Sequence, residues 1–247
     1  MTVCFSANTY EGFNSEKRVK DKILNRPSSI SIIKTQHKEI AAIIERRRGS
    51  NCLLNFYLLS ADLKSARYIN TIDSEYSMND PQDMDSDHLS NIYIADTLNR
   101  RIIKINVDGK LISQVDMAKI SNNTRILVKC VSVRNDGDIF TADFDECIVY
   151  HLDSSLNLKN KIDFSQDKKN IKVIRSICAL ENSLILCVRG KNQVLKAVYS
   201  GEIISPLTLK NVGWRNPVKI SKTSNNNLYI SDKENEREVK IERMNIN

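Results

Sequence analysis

At 247 residues, with 41% apolar and 27% charged side chains, the chain has ordinary globular composition and enough apolar material for a sizeable core, which excludes an intrinsically disordered polymer. It contains no apolar run of about eighteen residues, and its start MTVCFSANTY lacks the basic-then-apolar pattern of a secretory leader, so no membrane span and a cytoplasmic location are expected. The net charge of +7 is uneven: ten Lys and Arg face five Asp and Glu within residues 1–50, the rest is nearly neutral, and a basic face running across the whole domain is not expected.

In chain order, residues 1–26 come first as a separate segment. Within them TVCFSANTY reads as a strand able to close a sheet, while EKRVKDKILN at 16–25 fits a short helix, a strand or a partial repeat. From residue 27 onward the pattern becomes regular. Short alternating apolar runs are joined by turns rich in Asn, Asp, Ser and Gly, as in PQDMDSDHLSNIYIAD (81–96), KCVSVRNDGDIFTAD (129–143), RSICALENSLILCV (175–188) and NPVKISKTSNNNLYISD (216–232). Each is the signature of a β-hairpin. The second runs end at Asp96, Asp143, Val188 and Asp232, separated by 47, 45 and 44 positions. A second landmark gives the same period: the turns at Gly109, Ser155 and Gly201 stand 46 apart, and one step back from Asp108 falls on Asp62 in FYLLSADLKSARYI.

Two hairpins per period of about 45 residues make four antiparallel strands, which is one propeller blade. Period-two alternation in NIYIAD and DIFTAD, with Ile, Val, Tyr and Phe dominant, excludes a helical solenoid of the same period. The expected fold is therefore all-β, a β-propeller of about five to six four-stranded blades, incomplete or closed by the N-terminal strand. Blades are expected at about 27–73, 75–117, 125–165, 171–208 and 214–247, the last lacking its outermost strand.

The unit IYIADTLNRRIIKINVDGKLI resembles the NHL repeat: an apolar strand ending in Ala-Asp, a Thr-x-Asn-x-Arg-Ile turn, a strand and an Asp-Gly turn, with Pro81 upstream where that family has a proline. TADFDECIVYHLD and YISDKENEREVKIE resemble weaker copies. The resemblance implies a propeller, usually of six blades, that binds protein or RNA through its top face or rim; with no catalytic motif in the chain, neither enzyme activity nor a cofactor is expected. It also implies that Asn99 and Arg101 brace one strand against the next. The chain has only seven glycines, so several turns must use Asn, Asp or Ser instead.

Candidate residues follow from charge and position. Asp96, Asn99, Arg101, Asp143 and Asp232 stand at strand ends, where an Asp accepts hydrogen bonds from the turn that follows; the competing reading, a ring of carboxylates around a metal, is weaker. For contact with a partner, the cluster Arg46-Arg47-Arg48, the group Arg100 and Lys104, and the single tryptophan Trp214 beside Arg215 are the candidates, with packing of Trp214 between blades as its plainer reading. His37, His88 and His151 show no metal-ligand spacing, the six cysteines form no CxxC pair, and no nucleophile or phosphate-loop motif is present, so no metal is expected. A protein partner is the first functional reading and RNA the second. The third, a metal-dependent hydrolase or lyase, needs convergent side chains in the channel.

Overall fold

The computed structural model describes residues 27–46, 52–60, 65–73, 76–167, 171–190, 192–200, 203–206, 213–223, 227–235 and 237–241. Alternation turns these stretches into strands: β1 (Pro27–Lys34), β2 (Glu39–Arg46), β3 (Cys52–Leu59) and β4 (Ala66–Asp73) form the first sheet. The second holds β5 (Pro81–Ser86), β6 (Ile92–Asp96), β7 (Arg101–Ile105) and β8 (Leu111–Asp116). The third holds β9 (Val128–Val133), β10 (Ile139–Asp143), β11 (Ile148–Leu152) and β12 (Leu158–Asp163), and the fourth β13 (Ile171–Ala179), β14 (Leu184–Gly190), β15 (Gln193–Ala197) and β16 (Ile203–Pro206). The fifth has three described strands, β17 (Pro217–Lys222), β18 (Leu228–Asp232) and β19 (Arg237–Ile241). All neighbours pair antiparallel in chain order, and the architecture is a β-propeller of about five blades. One short helix, α1 (Met117–Ser121), links the second blade to the third. No described helix is long and apolar enough to cross a membrane.

The scarcity of glycine is met by side chains that fold the turns. In the β5–β6 turn, Asp87 accepts the backbone N–H groups of Leu89 (2.9 Å) and Asn91 (2.8 Å), which lets Ser90 adopt φ +67°. Asp153 does the same for Ser155 (2.9 Å) and Asn157 (2.8 Å) in the β11–β12 turn, where the buried Leu156 takes φ +69°. Only Gly109 and Gly137 are described glycines with positive φ, each at a hairpin turn.

Four apolar cores lie between consecutive blades. Ile33, Ala42, Leu54 and Phe56 of the first blade meet Met84, Ile94 and Ile103 of the second. Tyr93, Ala95 and Ile102 then meet Val128, Val131 and Ile139, and Phe140, Ala142 and Val149 meet Ile174, Ile177 and Leu186. Cys178, Ile185 and Cys187 meet Ile220, Leu228 and Ile230. Strands such as β6 and β10 are thereby buried on two faces, which no isolated sheet of four strands achieves, while the outermost β8 and β12 stay largely exposed. The described cysteines sit in these cores as free thiols, and burial pushes Cys178 up to about 11 and Cys130 up to about 12, so they pack as small hydrophobes.

A second, polar device joins the innermost strands. On β1, β5, β9 and β13 the residues facing the next blade are Ser, Asp or Cys, and their side chains accept backbone N–H groups from that blade. Ser29 takes the N–H of Met84 (3.2 Å), Asp83 that of Val131 (3.2 Å) and Asp85 that of Val133 (2.8 Å). Cys130 takes that of Ile177, Ser132 that of Ala179 (3.0 Å), and Ser176 that of Ile220 (3.1 Å). The inner edges of the second to fifth sheets thus find acceptors in the preceding blade instead of a further strand. The pattern stops at the fifth blade, where Lys219 occupies the equivalent position and an ammonium group cannot accept a hydrogen bond. Among the described residues, β17 does not pack against β1 as the other four neighbouring inner strands pack together.

Candidate functional site: the central channel and its mouth

The inner strands enclose a channel with a cavity of about 100 Å³, bordered by Ser31, Asp85, Ser132, Cys178, Lys219 and Lys222 among others. At about 30 Å³ per molecule this holds only a few waters. Its charges interlock across the ring. Lys219 reaches over the axis to hydrogen bond with Asp83, whose carboxylate also takes Ser29 Oγ (3.1 Å) and its neighbour's N–H at Met84 (2.8 Å). Burial alone would lower the Lys219 ammonium, but the Asp83 and Asp85 charges outweigh it and hold it above the usual range. Lys222 donates to the carbonyls of Val133 and Ala179, both at 2.8 Å, and so ties the third and fourth blades at the channel mouth. Burial raises the Asp85 carboxyl, against the pull of Lys222 and the N–H groups of Val133 and Ser86. A carboxyl held high beside two ammonium groups is an arrangement with acid–base potential.

Outside that mouth opens a larger hollow of about 390 Å³, bounded by Arg134, Asp136, Leu180, Glu181 and Lys222. Its wall is stiff. Arg134 grips Asp136 through two hydrogen bonds (2.8 and 2.6 Å) and reaches Asp138 (2.8 Å), while its guanidinium lies over the rings of Phe140 and Tyr199. The Arg134 hydrogen bonds hold the Asp136 carboxyl down to about 2. Phe140 stacks with both His151, centroids 4.4 Å apart, and Tyr199 at 5.2 Å, and those two rings lie 6.3 Å from each other, so the three form one cluster. His151 Nε2 and Lys159 Nζ both meet Asp138, at 2.6 and 2.8 Å.

The opposite face carries the residues singled out from the strand ends. Asp96, fully buried, accepts the N–H of Asn79 (2.7 Å), Asn99 Nδ2 (2.8 Å) and Arg101 Nε (2.7 Å). Arg101 continues to Gln114 Oε1 (2.8 Å) and the Tyr76 carbonyl, and Asn99 to the Ser77 carbonyl (2.8 Å), so one carboxylate clamps the connection between blades to the β6–β7 turn. Asp232 repeats this with Asn216 N–H (2.7 Å) and Asn235 Nδ2 (2.5 Å). Asp143 does not, because Glu146 and Ile148 stand where the second blade has Asn99 and Arg101. It takes the N–H groups of Asp145 (3.1 Å) and Glu146 and the Asn123 Nδ2 (3.3 Å), and burial, with the Glu146 and Asp145 charges adding to it, raises its carboxyl.

The sign of that shift defines a measurement. A folded-state value above the unfolded one costs nothing below about pH 4, where both states are protonated, and the cost grows as pH rises through the window between the two values. Glu146→Asn removes one repelling charge and offers the missing amide. It is expected to raise stability by about 1 kcal/mol at pH 7 and by little at pH 3, measured by urea unfolding at both.

The residues expected to meet a partner do not gather. Arg46 is spent between blades, on Gln82 Oε1 (2.6 Å) and Asp80 (3.2 Å); Arg47 and Arg48 lie outside the described residues. Arg100 is exposed at the apex of the β6–β7 turn in the left-handed conformation (φ +55°), before β7 begins, so it does not continue the strand of Lys104. Lys104 instead donates to the Ser154 carbonyl of the third blade (2.8 Å) over the Tyr93 ring. Trp214 packs against the core between the fourth and fifth blades, and Arg215, though exposed, gives its backbone N–H to Asp232. The channel residues Asp83, Asp85, Lys219 and Lys222 went unnoticed in the sequence; the signal was the run of Ser, Asp, Cys and Lys at alternate positions of every first strand.

No family model matches the chain, and no curated protein matches it. Solved structures do resemble it. Virginiamycin B lyase from Staphylococcus aureus, in a catalytically inactive form with quinupristin, is similar at a TM-score of 0.57 and 11% identity, over 90% of this chain and 82% of that one. The nidogen/laminin complex gives 0.65 and 14%, over 90% and 77%, and a Bacteroides caccae protein of unknown function 0.56 and 13%, over 87% and 77%. The expectation that the chain is no enzyme is thereby corrected, since the fold it adopts is also that of a lyase. The NHL resemblance holds at the level of architecture, and at these identities the likeness reaches the fold alone: the chain is a β-propeller.

Proposed function

We propose that this propeller binds a protein partner, centred on the hollow at the channel mouth. The observation that carries the reading is an open hollow of about 390 Å³ whose charged groups are already balanced, Arg134 by Asp136 and Asp138, on a face where Leu89 stands 69% exposed. Mixed charge around an apolar contact and a rigid aromatic wall suits a polypeptide surface better than a phosphate backbone. The nidogen/laminin complex, a similar propeller structure with a protein partner, supports it at the level of architecture. RNA has less support, because Arg46, Lys104 and Trp214 are engaged within the protein and leave no basic, aromatic-bearing face among the described residues.

Two variants locate the contact. Leu180→Asp with Glu181→Lys alters the hollow, and Leu98→Asp with Arg100→Glu alters the opposite face. Quantitative affinity capture is expected to show partners of the wild type at least tenfold depleted on the hollow variant and retained on the other; the reverse pattern, or equal retention on both, sinks the proposal. Binding that collapses steeply with salt and is abolished by ribonuclease would assign the partner as RNA instead.

A further inference from the structure

Lys222 ends β17 and borders both the channel cavity and the hollow outside it. Its ammonium is fixed from two sides by the carbonyls of Val133 and Ala179, each at 2.8 Å. Carbonyls occupy two of the ammonium's donors and leave one, and they do not cancel its charge. Among the described residues no carboxylate forms an ion pair with Lys222, whereas Lys219 is matched by Asp83, and Arg134 by Asp136 and Asp138. Asp85 feels the Lys222 charge from the channel side, but it spends its oxygens on the N–H groups of Val133 (2.8 Å) and Ser86 (2.9 Å), and burial disfavours its ionised form. One donor and an uncancelled positive charge are thus held in a fixed position where the hollow meets the narrower channel.

A group that reaches this point from the hollow must be slender and anionic. An acidic side chain is both: its methylene groups suit the wall at Ala179 and Leu180, and its carboxylate makes a charge-assisted hydrogen bond with the ammonium. The rim sets a further condition, because Asp136 and Glu181 border the hollow as exposed carboxylates. They repel a run of acidic residues, or the second charge of a phosphate, and tolerate one acidic residue among neutral or basic neighbours. Resting on the reading of the hollow as a site for a protein partner, we propose that Lys222 seats the carboxylate of a single Glu or Asp side chain in a segment of that partner.

The test selects random peptides on the full-length protein, displayed with their C-termini fused to phage so that any carboxylate selected belongs to a side chain. The expected peptides share Asp or Glu at one position without an acidic run. They are expected to be lost on Asn135→Trp, a substitution at an exposed turn position that crowds the hollow without changing its charge. A selected peptide, synthesised with both ends blocked, is expected to bind at least ~10-fold more weakly when its acidic residue becomes the corresponding amide, and by a like factor to Lys222→Met. Where Lys222→Met does not fold, as judged by circular dichroism, the amide exchange in the peptide carries the same expectation on the wild type. Peptides that need the hollow but bind equally well as the amide, or equally well to folded Lys222→Met, overturn the assignment of Lys222 and leave the partner reading standing. A selection that yields no peptide dependent on the hollow overturns both.

Discussion

Asp96→Ala is expected to destabilise the protein by about 3–5 kcal/mol, because the substitution strands the Arg101 guanidinium and leaves the N–H of Asn79 and the amide of Asn99 without their acceptor. In a domain of this size that is roughly a 10 °C fall in Tm, readable by calorimetry. The control is built into the repeat. Asp143 occupies the same place in the third blade but has no counterpart of Asn99 and Arg101, and burial already disfavours its ionised form, so Asp143→Ala is expected to cost no more than about 1 kcal/mol. Equal losses at the two positions would show that a buried strand-end carboxylate, and not the clamp, is what matters.

The second large effect lies in the channel. Asp83→Ala removes the acceptor of the Val131 and Met84 N–H groups and leaves Lys219 facing the axis without its carboxylate, at a cost of about 3 kcal/mol; partial water contact of the lysine keeps this below the figure for a fully buried pair. Lys219→Met alone is expected to cost about 1–2 kcal/mol, since Asp83 retains Ser29 and two backbone donors. The double variant is expected to be more stable than the sum of the single losses predicts, by about 1–3 kcal/mol, in urea unfolding of all four proteins. Strict additivity would mean that the contact across the axis contributes nothing and that the channel is held by side-chain acceptors alone.

The second effect follows from a general feature of the architecture. Stacked sheets need their inner edges satisfied, and here short oxygen- and sulfur-bearing side chains do this from blade to blade. The ordered channel that results is narrow, so the larger hollow outside it is the better place for a partner. Lys222 belongs to both, which makes it the residue through which occupation of the hollow would be felt at the axis.

How much of this was legible in the sequence depends on the distance over which each interaction acts. The strands, their period of about 45 residues and the turns built on Asp87, Asp153 and Asn106 were determined by the sequence alone, because alternation and Asx turns are contacts between residues a few positions apart. The clamp at Asp96 was legible for the same reason, since Asn99 and Arg101 lie three and five residues away. Only the tertiary structure decided which charges are spent and which are free: Arg46 on Gln82, Lys104 on Ser154 and Lys219 on Asp83 are partners separated by 36, 50 and 136 positions. Composition records that such groups exist, but their pairing depends on which blades become neighbours and on the register at which the inner strands meet.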